Sequence, residues 1–176
     1  EFDLGWFHPP CGGVSPMIDI GNGSREDWPD YIPRSREIAE QHCKHHVVEN
    51  KPRESINEEV ILDGHMFELG IEYARAFETS FSVEQPAKQN KLAETTPFFY
   101  TEKPQGWWAG VKGSSTEFSA KHLAKNTIPA AYINYIMRHH AQAVANSDEL
   151  RDYSNYDREM QTQRRQGENA SLESYQ

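Results

Sequence analysis

The chain has only two cysteines, little positive charge and few apolar residues, and each shortage excludes something. Cys11 and Cys43 allow at most one internal bridge, so no dense disulfide framework supports this fold. Two free thiols and a single Cys11–Cys43 pair both fit. Eighteen Lys and Arg stand against 27 Asp and Glu, a net charge of −9, which argues against nonspecific binding to nucleic-acid phosphates. No apolar run approaches the roughly 20 residues that span a bilayer, so the chain is read as soluble, without a transmembrane segment. Hydrophobic residues make up 36% and the mean hydropathy is −0.84, low for a compact globule. Aromatic residues, at 11%, separate the chain from disordered sequences and suggest a modest core stitched by Trp, Tyr and Phe.

The chain starts EFDLGWF without an initiator Met, as a processed organellar or secreted chain would, although a trimmed boundary gives the same start. Asn22-Gly-Ser24 and Asn169-Ala-Ser171 match the glycosylation triplet and keep a secreted origin open. At 176 residues, one domain with extended arms is expected.

Local signals divide the chain into an extended arm over 1–30, a helical domain over 31–160 and a polar tail over 161–176. The arm is punctuated by His8-Pro9-Pro10, Gly12-Gly13 and Trp28-Pro29. Pro33 suits the first turn of a helix reaching about Val48, before Lys51-Pro52 forces an extended break. Ser55 and Glu58 form a capping box, and Ile56, Val60, Phe67, Ile71, Ala74 and Phe77 recur at helical spacing. That spacing predicts a helix over 55–79, with Gly64 and Gly70 each costing about 1 kcal/mol.

Residues 82–114 read as a long connection rich in proline and aromatics. A short helix is expected near 116–125. A longer one follows Thr127 and Pro129, and a last one runs from Ser147 to about Arg164. The sum is a mainly α fold of about four or five helices with long arms. The tail QTQRRQGENASLESYQ has only Ala170, Leu172 and Tyr175 to bury, too little to offset its ordering entropy alone. It is expected to take its order from what it binds.

The densest set of potential metal ligands is His42-Cys43-Lys44-His45-His46. On a helix, His42 and His46 would share a face one turn apart, a spacing that suits a divalent ion such as zinc. His65 and Glu68 could complete the site if the first two helices pair. The competing reading is a solvated face beside a helix C-terminus, where the dipole favours His.

For nucleophilic catalysis, Cys11 lies in a Pro/Gly arm, and no Gly-x-Ser-x-Gly elbow or phosphate-binding glycine loop occurs. Asp63 and Glu68 as acid–base groups compete with an ordinary charged helix face. No catalytic residue is assigned, and enzymatic activity stays open, leaning towards none. Trp6, Phe7, Phe98, Phe99, Tyr100, Trp107 and Trp108 lie in proline-flanked irregular chain. They are read as anchors for protein partners, with packing against the chain's own core as the alternative.

Residues 74–136 also resemble an SH3 domain. Ala74-Arg75-Ala76-Phe77 would stand for the opening strand, Gly106-Trp107-Trp108-Ala109-Gly110 for the tryptophan strand, and Ile128-Pro129-Ala130-Ala131-Tyr132 for the closing Pro-x-x-Tyr. The resemblance implies a groove for proline-rich ligands lined by Trp107, Pro129 and Tyr132. The segment between the Trp pair and Pro129 is longer than the family's, the acidic loop is poorly matched, and Ala130 to Ala145 reads as helix. The leading functional expectation is therefore a non-catalytic structural or adaptor subunit that binds protein partners. The alternatives are a small metal-binding protein or metalloenzyme and an SH3-like module.

Overall fold

The computed structural model describes residues 1–10, 29–52, 55–87, 95–97 and 103–147. Two units divide the chain, Glu1–Met137 and Arg138–Gln176; of the second, only residues 138–147 are described. The elements of the first unit mix helices with two sheets, which corrects the expectation of a mainly α fold.

Strand β1 (Phe2–Phe7) runs parallel to β2 (Cys43–Asn50), which pairs antiparallel with β5 (Arg75–Thr79), itself antiparallel to β3 (Val60–Leu62). The sheet order is β1-β2-β5-β3. The first residues of the expected arm are thus an edge strand of the main sheet. A second, two-stranded sheet pairs β4 (Ile71–Glu72) with β6 (Thr96–Pro97) in parallel.

Helix α1 (Ile32–His42) begins as the sequence suggests, with Pro33 in the first turn and Asp30 Oδ1 accepting from the Ile32 N–H at 3.0 Å. It does not continue to Val48. Cys43 is extended (φ −123°, ψ 139°), and the apolar centre of the next segment, Val47-Val48, is β-branched, which favours a pleated strand over a helix.

The helix expected over 55–79 is replaced by β3, a single 3₁₀ turn (Gly64–Phe67), β4 and β5. Val60 and Leu62, buried on one side of β3, satisfy strand alternation as well as helical spacing. The decisive features are backbone ones. A side chain at Gly64 would collide with the Ile71 carbonyl oxygen, and Gly70 (φ 65°) and Glu68 (φ 56°) are left-handed. Asp63 caps the turn: its Oδ1 accepts from Gly64 N–H at 2.6 Å and from Tyr73 N–H at 3.0 Å. Residues that look like tolerable faults in a helix are what fold the segment back on itself.

Within the expected 82–114 connection, α2 (Gln105–Lys112) forms and ends at left-handed Gly113. Helix α3 (Ala120–Asn126) follows Ser119, whose Oγ accepts from the His122 N–H at 3.3 Å. Helix α4 (Ala130–Asn146) lies where Pro129 and the alanines place it. The helix expected from Ser147 and the 161–176 tail lie outside the described residues.

Alternation along the strands gives the sheet two buried faces. On one, Ile32 and Ile56 pack on Val48 and Ala76, with Phe7 and Ile61 at the margin. On the other, Phe77 takes Trp6 edge-on at 6.1 Å and Tyr132 edge-on at 6.5 Å. The β3 edge is closed by a side chain: Gln85 Oε1 accepts from Ile61 N–H at 3.1 Å, and Gln85 Nε2 donates to Ile61 O at 2.8 Å. No helix among the described residues is long and apolar enough to cross a membrane.

Candidate functional site

A buried strand normally carries apolar residues, yet β2 ends in Glu49 and Asn50, both with no exposed surface. Glu49 shares the Val47 side of the strand and reaches Arg75 at the start of β5. An isolated buried carboxylate would neutralise itself; this one bridges two nitrogen groups. One oxygen accepts from Arg75 Nε and the other meets His8 Nδ1. Arg75 is 2% exposed, whereas the His8 side chain is 43% exposed. Asn50, on the other side of the strand, donates from Nδ2 to the Pro9 carbonyl at 2.8 Å. Two adjacent residues of one strand therefore fix both the His8 ring and the backbone just after it. His8-Pro9-Pro10 adds stiffness, since each proline fixes its φ.

Lys112, the last residue of α2, enters the same region. Its side chain is 1% exposed, and Nζ lies 3.0 Å from the centre of the Tyr73 ring. No hydrogen-bond acceptor reaches Nζ among the described residues. Burial, with Arg75 nearby, drives the Lys112 pKa down to about 6, and Glu49 offsets only part of this. Tyr73 is itself fixed: its hydroxyl donates to Lys125 O at 3.0 Å, and Tyr132 donates to the Tyr73 carbonyl at 2.9 Å. Burial raises the Tyr132 pKa, so it stays a neutral donor.

Beside this cluster lies a cleft of about 320 Å³ lined by Lys51, Pro52, Asp63, Glu72, Tyr73, Ala74, Arg75 and Pro97. Strand ends supply most of these residues. Lys51 follows β2, Tyr73 and Ala74 precede β5, and Glu72 and Pro97 face each other across β4 and β6. The charges are of both signs. Glu72 Oε1 accepts from the Thr95 hydroxyl at 3.1 Å, and Asp63 holds its two backbone N–H groups.

The residues singled out in the sequence fall elsewhere. His42 closes α1 and His46 lies in β2, so the shared helical face assumed for them does not exist. His46 is largely buried, and burial lowers its pKa. His65 is in the 3₁₀ turn, 3.6 Å from Asp63, and Glu68 is the left-handed residue that ends the turn. Among the described residues, no group of three or more His, Cys, Asp or Glu is placed to hold a metal ion.

Of the proposed partner anchors, Trp108 is fully buried, Trp6 packs on Phe77 and Phe7 borders the core. Trp107 is half-buried, edge-on to Trp108 at 4.9 Å, with Lys103 Nζ 5.3 Å from its ring. Trp107 and Tyr132 stand on helices, and Tyr132 has no exposed surface. Phe98, Phe99, Tyr100 and Cys11 lie outside the described residues.

Sequence reasoning missed His8, Glu49, Arg75 and Lys112 as a group. The available signal was a carboxylate and an amide directly after Val47-Val48, in a segment whose β-branched pair already pointed to a strand. Comparison with protein families, with curated proteins and with solved structures found no match to this chain.

Proposed function

We propose that the first unit binds a small zwitterionic ligand of the amino-acid type in the cleft beside Tyr73. The observation that carries this reading is the convergence of Lys51 and Arg75 with Asp63 and Glu72 around one cavity of about 320 Å³. That volume suits a small molecule. Lys51 and Arg75 bring positive charge to the lining and Asp63 and Glu72 negative charge, a pairing that suits a zwitterion better than a ligand of one sign. Arg75 supports the reading further, because its ion pair with Glu49 fixes it before any ligand arrives.

Calorimetry and thermal shift with amino acids, acetate and methylammonium test this. Amino acids should bind and raise the melting temperature, with binding weakened about tenfold by Lys51→Met or Glu72→Gln. Equal effects from acetate, methylammonium and amino acids would remove the reading.

A second reading is an adaptor or structural subunit that binds a protein partner. It is favoured by Phe2, 68% exposed on the edge strand β1, and by Phe118, 46% exposed beside α3. Phe2→Ser with Phe118→Ser, at unchanged melting temperature, should then release a co-purifying protein. Retention of that protein by the double variant counts against an adaptor built on these residues.

A further inference from the structure

His8 is the exposed end of the His8–Glu49–Arg75 chain. Glu49 is fully buried and ion-paired with Arg75, a cation at every working pH, so its carboxylate oxygens act as acceptors. The His8 nitrogen that faces it, Nδ1, must then be the one bearing the proton. In the neutral ring this leaves the lone pair on Nε2. The His8 side chain is 43% exposed, and no described residue hydrogen-bonds Nε2. The ring cannot swing freely, because the carboxylate holds its inner nitrogen and Asn50 holds the Pro9 carbonyl at 2.8 Å. A base whose tautomer and direction are both fixed by a buried carboxylate has the pairing that oriented general bases use.

We infer that His8 Nε2 is a general base that activates water or a hydroxyl nucleophile at the surface of this chain, with Glu49 as its positioning residue and Arg75 as the anchor of Glu49. For an ester substrate the balance is simple. Nε2 takes a proton from water as the water oxygen attacks the carbonyl carbon. The tetrahedral adduct collapses with loss of the alkoxide or aryloxide. The proton on His8 then passes to the leaving group or to solvent. Glu49 keeps its charge throughout and balances the imidazolium formed at His8. Neither a metal nor a redox partner enters this step. His8 is not one of the cleft's lining residues, and Arg75 is the residue that the two arrangements share.

The test uses the intact chain and p-nitrophenyl acetate as probe. Hydrolysis should exceed that of the His8→Gln variant by about tenfold or more, the background then coming from the other histidines. Glu49→Gln should lower the rate in the same direction, and nitrogen NMR should show the His8 tautomer changing in that variant. A purely structural histidine would leave the rate unmoved. Equal rates for the wild type and His8→Gln would overturn the inference. So would wild-type spectra with the neutral-ring proton on Nε2, a measurement that stands even where Glu49→Gln does not fold.

Discussion

Glu49 and Lys112 are neighbours under opposite constraints, and single substitutions should separate them. Removing the Glu49 side chain takes from Arg75, which is 2% exposed, the carboxylate bound to its Nε. Glu49→Ala should therefore lose about 3–5 kcal/mol in denaturant unfolding, whereas Glu49→Leu combined with Arg75→Met should lose far less. Lys112 behaves in the other sense. Its amine has no acceptor among the described residues, so Lys112→Met keeps the aliphatic packing and removes a buried polar group. That variant should gain about 1–3 kcal/mol. A loss of stability instead would mean that the contact with Tyr73 outweighs the desolvation of the amine.

Among the elements, α2 offers a comparison within three residues. Gly110 lies inside the helix with nothing within 4 Å of an added Cβ, while Gly113 sits at φ +64° with Ala130 Cβ 2.8 Å from such an atom. Gly110→Ala should raise stability by about 0.5–1 kcal/mol through helix propensity. Gly113→Ala should lower it by about 1–2 kcal/mol, because an L residue resists the left-handed conformation. Melting curves of the two variants should move in opposite directions.

The same contrast explains which elements the sequence discloses. Helices α3 and α4 are legible in outline because their signals are local: the helix expected near 116–125 forms over Ala120–Asn126, and Pro129 with the alanine-rich run leads into Ala130–Asn146. The segment 55–79 was not, because the apolar spacing of Val60, Phe67, Ile71 and Phe77 fits a helix until Gly64 is seen to touch Ile71 across a turn. The two residues share one sequence window, but the close approach depends on the turn between them, which apolar spacing does not report. The site was hidden for a related reason. Glu49 reads as a helix-face carboxylate beside His45 until the segment becomes a strand, which turns it inward towards Arg75 and His8. His8 itself reads only as the start of a proline pair, since its partner is 41 residues away.

For the whole molecule, the groups that titrate below the ordinary tyrosine range should act on stability in one direction. In the unfolded chain Lys112 holds its proton to about pH 10.5, and in the fold only to about 6. Between those values unfolding takes up a proton, so raising the pH favours the fold. His46 acts likewise nearer its ordinary 6.5, since burial lowers its folded pKa.

Burial alone would raise the pKa of Glu78, but hydrogen bonds from Arg36 and from the Asn57 N–H hold it below the usual carboxylate range. Its contribution is present above about 4.5 and is lost as the pH falls through the lower folded value. Above pH 10 the raised Tyr132 pKa reverses the sense, because only the unfolded chain then ionises this tyrosine. Urea titrations should therefore show stability climbing from acid to mildly alkaline pH and falling beyond about 10. The rise between pH 6 and 10 should flatten in Lys112→Met.

The Gln85 side chain gives the main sheet a definite width. Its amide offers Ile61 one acceptor and one donor, the same pair that a neighbouring strand would present, but it has no next residue with which to continue the ladder. Growth of the sheet on that side is thus capped by a single mimic of a peptide group. On the β3 side, the groups of Ile61 that a further strand would pair with are already occupied.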